Sequence, residues 1–365
     1  MYEAWLPQKL GKICRSYSGG TPSVKNHNYY IGNIPFIRSG EINSESTELL
    51  INETAFNHSS VKMVSRGDIL YALYGATSGE VAISKINGAI NQAILAIKPE
   101  CGHDTYYIYT WLNKQRKKLL STYLQGGQGN LSGTLVKSFR IYSPLEYEQE
   151  KIGEFFKKID SLIAKHTQKL ELLKKLKKGY LQKIFSQELR FDGFHELWRK
   201  QKLKEIISLE FKGKAKANML GKESRYLETS YLNGGNFSYV SAKADTQKTD
   251  ILILWDGSQA GTVYYGFSGA LGTTLKAFRP KYSGDFLYHF LKQHQQKIYT
   301  QYRTPNIPHV IKTFTNDFFV TLPYNDEQER IGYFLNMCDN FISKTVKKIE
   351  LLDSQKQGYL QKMFI

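Results

Sequence analysis

Two stretches of this chain are one sequence written twice, and that repetition decides its architecture before any other property is weighed. Residues 148–185 (EQEKIGEFFKKIDSLIAKHTQKLELLKKLKKGYLQKIF) align without a gap to residues 327–364 (EQERIGYFLNMCDNFISKTVKKIELLDSQKQGYLQKMF), at a constant offset of 179 and with 20 identities in 38 positions. A match over about ten helical turns means two copies of one structural unit, and so two copies of whatever that unit holds. The duplication reaches further. Trp5-Leu6-Pro7-Gln8-Lys9-Leu10 returns as Trp198-Arg199-Lys200-Gln201-Lys202-Leu203, and Gly67–Val81 returns as Thr249–Val263, with Gly75 and Gly79 matched by Gly257 and Gly261. Ala96-Ile97-Lys98-Pro99 answers Ala277-Phe278-Arg279-Pro280, and Tyr123 with Asn130 answers Tyr302 with Asn306. The offset drifts from 193 to 182 between the first two anchors, so the first half holds 11 extra residues there.

The repeated stretch reads as a long helix. Ser143-Pro144 supplies a cap and a first-turn proline, and Glu146, Glu148 and Glu150 sit where the helix dipole favours anions. Apolar residues then recur every three or four positions. A stripe this long cannot be buried against a small domain; it needs a helix of similar length, and the chain supplies one. The predicted seam runs through Ile152, Ile159, Leu170, Leu173 and Tyr180 in the first copy and Ile331, Ile342, Ile349, Leu352 and Tyr359 in the second. His166, Thr345, Lys177 and Lys356 fall on it as well, the lysines expected to bury their stems and reach outward. Gly179 and Gly358 lower helix propensity by about 1 kcal/mol each, which suggests that something approaches closely there. Between the helices, Asp68–Leu73 and Asp250–Leu254 read as buried strands ending in glycine turns, and Tyr106–Tyr123 and Phe286–Tyr302 as amphipathic helices. The expected organisation is α+β: a domain over 1–143, a central helix over 144–190, a second domain over 191–322 and a C-terminal helix over 323–365. The two helices form an antiparallel coiled coil within a pseudo-twofold repeat.

A chain of 365 residues suits two domains. No apolar run approaches the roughly 18 residues of a membrane span, and the N-terminal residues show no export signal. Three distant cysteines, Cys14, Cys101 and Cys338, fit a reducing cytoplasm and no disulfide framework. The net charge of +17 is spread over both halves and accompanies 25 tyrosines and glycine-punctuated polar loops, so a polyanion, nucleic acid first, is the expected partner.

Catalytic constellations are missing from the sequence. It contains no GxxxxGK[ST] phosphate loop, no [DN]PP[FYW] tetrapeptide and no HExxH. His289 and His294 are splayed around a helix, and Ser258 in DGSQAG lacks triad partners.

The chain resembles the specificity (S) subunits of type I restriction–modification systems over essentially its whole length. The resemblance rests on Leu10-Gly11-Lys12-Ile13, Gly19-Gly20-Thr21-Pro22-Ser23, Ile34-Pro35-Phe36-Ile37, Gly67-Asp68-Ile69-Leu70 and Gln128-Gly129-Asn130-Leu131-Ser132. Pro144-Leu145-Glu146 with Glu148-Gln149, and Leu189-Arg190-Phe191 before Phe194 and Trp198, add to it. The second half departs: it lacks GGTPS, and Thr304-Pro305-Asn306-Ile307-Pro308 stands where the first half has QGNLS. The resemblance implies a non-catalytic subunit whose two target-recognition domains each read one part of a bipartite site in double-stranded DNA, with the paired helices fixing the spacer. It further implies two methyltransferase (M) subunits holding S-adenosylmethionine, and two restriction (R) subunits using ATP and Mg, with no cofactor or metal on this chain. The alternative is a protein-binding scaffold or relic specificity subunit without DNA sequence preference.

Polar and basic residues in turns after framework strands, or just before the long helices, are the expected reading surfaces. In the first half these are Arg38, Ser39, Lys62, Tyr74, Gln128, Asn130, Ser132 and Lys137; in the second they are Ser258, Thr273, Tyr302, Arg303, Asn306 and Lys312.

Overall fold

A computed structural model describes residues 5–123 and 131–364, and their contacts divide into two units. One comprises Met1–His166 with Lys348–Ile365, the other Thr167–Lys347. The long helices, Glu146–Phe185 (40 residues) and Asn325–Met363 (39 residues), are therefore shared out instead of forming segments of their own. Each unit holds the start of one and the end of the other.

The first turn of each helix is locked by its repeated glutamine. Gln149 Nε2 donates to the Pro144 carbonyl at 2.9 Å, and Gln328 Nε2 donates to the Pro323 carbonyl at 2.8 Å; both side chains are buried. The glutamates beside them part ways. Glu148 is exposed, as a dipole-complementing anion would be, whereas Glu327 is buried and accepts a two-pronged bond from Arg190 at 2.7 and 3.0 Å.

Within each unit the two helix segments run antiparallel. In the first, Phe155 meets Tyr359 edge-on at 5.0 Å and Asp160 takes Lys356 at 2.5 Å. In the second, Tyr180 meets Phe334 at 5.0 Å and Asp339 takes Lys177. The two ion pairs are repeat equivalents, so the seam lysines are anchored rather than reaching outward. Of the predicted seam, Ile152, Ile331 and Leu352 are buried; Ile159, Leu170, Leu173, Tyr180, Ile342 and Ile349 are half-buried. Tyr359 touches Phe155 but is 42 % exposed, and its neighbour Leu360, at 6 %, takes the inward position. Among the described residues, a Cβ at Gly179 or Gly358 would meet nothing within 4 Å, so none of them makes the close approach expected there. The close helix approach falls at another repeated pair. A Cβ at Gly153 would stand 2.1 Å from Asp104 Oδ1, and one at Gly332 would stand 2.6 Å from Asp285 Cβ.

The helix ends plug the domain cores. In the first unit Ile152 and Phe156 pack with Leu360 and Phe364 among Leu10, Ile69, Tyr107 and Ile141. In the second, Ile331 and Leu335 pack with Ile184 among Leu203, Ile251, Phe286 and Val320.

Each unit builds one four-stranded antiparallel sheet in the same order. The first unit orders Cys14–Ser18, Ile94–Pro99, Ile69–Ala72 and Val81–Ile83; the second orders Ile207–Lys212, Leu275–Pro280, Ile251–Leu254 and Val263–Tyr264. The aspartate before the third strand in that order explains a shared motif. Asp68 binds Lys98 at 2.8 Å and accepts the Ser65 N–H, while Asp250 binds Arg279 at 2.9 Å and accepts the Gln247 N–H. The repeated turn glycines are needed for their backbone: Gly75 and Gly257 have φ of 85° and 120°, Gly79 and Gly261 of 76° and 94°.

A second sheet pairs Ile34–Ile37 in parallel with Gly88–Ile90, as Leu220–Leu227 pairs with Ala270–Leu271. The first unit adds Lys62–Val64 to this sheet and a helix over Glu53–Asn57, and these take up much of its extra length. One sequence expectation divides. The run Phe286–Tyr302 forms two helices, Gly284–Gln293 and Gln295–Gln301, broken at His294, whose backbone N–H donates to the Phe290 carbonyl at 3.1 Å while its Nδ1 lies 2.8 Å from the same oxygen.

Candidate nucleic-acid interface

In each unit the main sheet ends in a run of loops tied together by backbone bonds. In the first unit the Leu73 N–H donates to Ala93 O at 2.8 Å, the Leu131 N–H to Leu73 O at 2.7 Å, and the Asn91 N–H to Ile37 O at 3.3 Å. This gathers Tyr74, Asn91, Gln92, Ser39 and Ser132 along one edge. Thr21 Oγ1 donates to Gln92 Oε1, joining the GGTPS turn to it.

The predicted residues of this unit fare differently. Ser132 is exposed but caps the helix Gly133–Ser138, accepting the Leu135 N–H at 3.1 Å. Lys137 is exposed and packs its stem over Gly11. Lys62 is exposed on its strand, and Ser39 is half-buried in a 3-10 turn. Tyr74 is half-buried against the core, and burial pushes its phenol up. Gln128 and Asn130 lie outside the described residues. Arg38 departs most from expectation. Its Nε donates to Glu41 at 3.0 Å and its Nη2 to Glu48, and these carboxylates push its pKa further up. A guanidinium committed to two acids closes the 38–48 loop and has little left for a guanine edge.

In the second unit the Gly213 N–H donates to Leu275 O at 3.0 Å, Ala215 bridges to Gly272, and the Trp255 N–H donates to Thr274 O at 2.7 Å. Next along, the Gly257 N–H donates to Pro308 O at 2.9 Å, and Arg303 Nη1 donates to Ser258 O at 2.9 Å with its guanidinium 5.7 Å from the Tyr299 ring centre. Thr273, Ser258, Arg303 and Asn306 thus share one edge, Ser258 and Asn306 exposed. Lys312 is exposed on the following turn. Tyr302 belongs to the core side: its ring meets Phe314 at 5.4 Å and Phe318 at 5.3 Å, and its hydroxyl donates to Asp317 O.

Sequence reasoning missed Gln92, Asn91, Thr21, Lys214 and Lys216 on these edges. A signal existed for Gln92, which is the repeat counterpart of Thr273 through the Ala96/Ala277 anchor. The alternating Gly213-Lys214-Ala215-Lys216 was the signal for the lysines. Among the described residues no group of three His, Cys, Asp or Glu could hold a metal ion, and no helix is long and apolar enough to cross a membrane.

Comparison with known proteins agrees with this duplicated plan. A family model for the type I restriction modification DNA specificity domain matches residues 2–175 and again 195–353. The MjaVIII specificity subunit of Methanocaldococcus jannaschii is 31 % identical over 196 residues, 49 % of this chain and 46 % of that protein. The EcoR124I/EcoR124II specificity subunit of Escherichia coli is 28 % identical over 190 residues, 48 % of this chain and 47 % of that one. The chain thus spans about half the length of the curated relatives it matches. Among solved structures, a type I S subunit from M. genitalium shares the fold with a TM-score of 0.76 at 17 % identity, covering 100 % of this chain and 97 % of that one. A chain from a study of assembly and conformational transition in the type I R-M system gives 0.51 at 16 % identity, covering 99 % and 97 %. With the family model matched twice, once over each half of a scaffold that repeats down to its glutamine locks and ion pairs, the chain belongs to the type I restriction modification DNA specificity family.

Proposed function

We propose that the chain is the DNA-reading subunit of a type I restriction–modification complex. Each unit reads one part of a bipartite duplex site through its loop edge, and the paired helices set the unread spacer between the parts. The chain itself carries no catalytic step. It positions M subunits, which bind S-adenosylmethionine and act on an adenine drawn out of the stack, and R subunits, which use ATP and Mg. The observation that supports this most is the duplicated polar loop edge on one repeated framework, framework residues being shared while the edge residues differ. Two halves alike in scaffold and unlike in edge are what a reader of two different half-sites requires.

Exposed apolar side chains at matching repeat positions, Leu162 with Phe341 and Leu172 with Leu351, support the helices as the M-docking element. The test is genome-wide mapping of N6-methyladenine in a host carrying this chain with its M partner. A single bipartite motif that disappears when the chain is removed is the expected result. Methylation without a motif, or a motif indifferent to this chain, rejects the reading.

A further inference from the structure

The two units handle charge differently along corresponding runs. Residues 213–249 carry six basic and three acidic residues, whereas residues 19–67 carry four of each. In the first unit three of the four acids are taken up by bases, Glu41 and Glu48 by Arg38 and Glu45 by Lys85 from beyond the run at 3.3 Å; Lys25, Lys62 and Arg66 are exposed, and the run as a whole has no net charge. In the second unit Lys214, Lys216, Lys222 and Lys243 are exposed, and among the described residues none of them forms an ion pair.

These four lysines surround one small apolar cluster of Ala215, Tyr226, Val240 and Ala270, with Ala242 packed on it. Burial alternates through Gly213-Lys214-Ala215-Lys216, so both lysines face away from the cluster that Ala215 enters. Lys243 follows Ala242, whose carbonyl accepts Ser224 Oγ two residues beyond Lys222. Two acids are near. Asp245 accepts the Leu271 N–H at 2.9 Å, and burial, outweighing that bond and the charge of Lys214, raises its carboxyl; Glu223 is exposed on the same strand.

A second observation concerns rings. Arg225 lies 5.1 Å from the Phe237 ring centre, and Phe237 meets Tyr239 at 5.6 Å and Tyr231 at 6.2 Å. Phe237 is 51 % exposed and Tyr239 45 %, so the platform faces water. Cations beside exposed aromatic rings suit a nucleic-acid surface, the cations meeting phosphates and the rings packing on the apolar faces of the sugars.

We propose that residues 213–249 of the second unit form a backbone clamp on duplex DNA. Lys214, Lys216, Lys222 and Lys243 bind phosphates, the Arg225–Phe237–Tyr239 platform packs against the adjoining sugars, and the corresponding run of the first unit, with as many acids as bases, lacks this excess of charge. This rests on the reading of the chain as DNA-binding. Phosphate contacts of this kind set affinity and salt dependence without carrying sequence information.

The experiment uses the full chain assembled with M, a duplex carrying the mapped motif, and the same duplex with the motif shuffled. Lys214→Gln, Lys216→Gln, Lys222→Gln and Lys243→Gln are combined in one variant. The control combines Lys165→Gln, Lys169→Gln, Lys344→Gln and Lys347→Gln on the helices. Each phosphate contact contributes about 0.9 to the slope of log affinity against log salt, so the clamp variant should lose about 3 to 4 from that slope. Its affinity should fall by the same factor on both duplexes while the methylated motif stays unchanged. Phe237→Ala should weaken both duplexes with the slope retained. An unchanged slope, a slope lost equally in the control, or an altered motif overturns the clamp. Failure of the unmodified complex to prefer its motif would instead reject the proposed function, so the two failures are distinguishable.

Discussion

Replacing Phe364 by alanine should destabilise one unit and spare the other. The residue stands just past the last helical residue, Met363, where a helix end would ordinarily fray. Yet Phe364 is 2 % exposed, with ring centres at 5.1 Å to Tyr107, 5.9 Å to Phe156 and 6.5 Å to Trp5, and its carbonyl accepts Lys114 Nζ at 2.6 Å. Removing a fully buried phenylalanine ring costs about 3–5 kcal/mol. Held at a helix end, the site can partly collapse, so the lower figure of about 3 kcal/mol applies, a drop of roughly 6–12 °C in the melting temperature of that unit. The companion Phe185→Ala removes the repeat equivalent, which meets Phe290 at 5.3 Å and Phe286 at 5.6 Å in the second unit. Hydrogen exchange separates the two cases. Phe364→Ala should lower protection in Ile69–Ala72 and leave Ile251–Leu254 alone, and Phe185→Ala should do the reverse. A cost below about 1 kcal/mol, or equal loss of protection in both strands, would refute the idea that each helix end plugs a particular core.

A half-length chain, residues 1–190, retains one domain and one whole helix; a second copy could insert Leu181 and Phe185 where Leu360 and Phe364 now sit, 179 positions on. Two such chains should form a C2 dimer and, with M, methylate a palindromic site, as light scattering and methylation mapping would report; a folded monomer or a non-palindromic site contradicts this. A pH effect follows from His289, buried at 1 % exposure beside Asn336, Asp339 and Lys177, with burial, aided by Lys177, holding its pKa down at about 4. The unfolded chain takes up this proton near its ordinary 6.5, so stability is fully present above that pH and falls as pH drops towards about 4. His289→Gln should flatten this part of the stability profile relative to the parent chain, and two parallel profiles between pH 6.5 and 4 would reject it.

The repeat made the helices, their pairing and the matched framework strands legible, because periodicity and identity are local properties of a sequence. What stayed illegible depends on contacts that neither periodicity nor identity encodes. Nothing near Phe364 announces that it completes a core with Trp5 and Tyr107. The sequence presents Arg38 as a free basic residue in a turn; its pairing with Glu41 and Glu48 follows from the closure of its loop, which composition does not show. Tyr302 sits in a basic, glycine-poor turn, yet its ring is drawn inward by Phe314 and Phe318. The helix ends at His294, whose ring and backbone nitrogens both lie at the Phe290 carbonyl, a local closure that helical periodicity does not register. Gln92, by contrast, was readable by carrying the repeat one step further, from Thr273 back to its counterpart.

The ion pairs of Asp160 with Lys356 and of Lys177 with Asp339 amount to a direction code. Aspartate and lysine stand 17 positions apart in each copy of the repeat, so a copy is complementary to its own reverse. Set side by side in the same sense, the copies would oppose aspartate to aspartate and lysine to lysine, like charges facing across a partly desolvated seam. Polarity is thus written into the duplicated element itself, with no need for an asymmetric partner to impose it. The same code is indifferent to whether the reversed copy belongs to one molecule or two. What keeps the chain closed on itself is the high local concentration of a tethered partner, and a pool of free helices with this sequence would compete for the same seam.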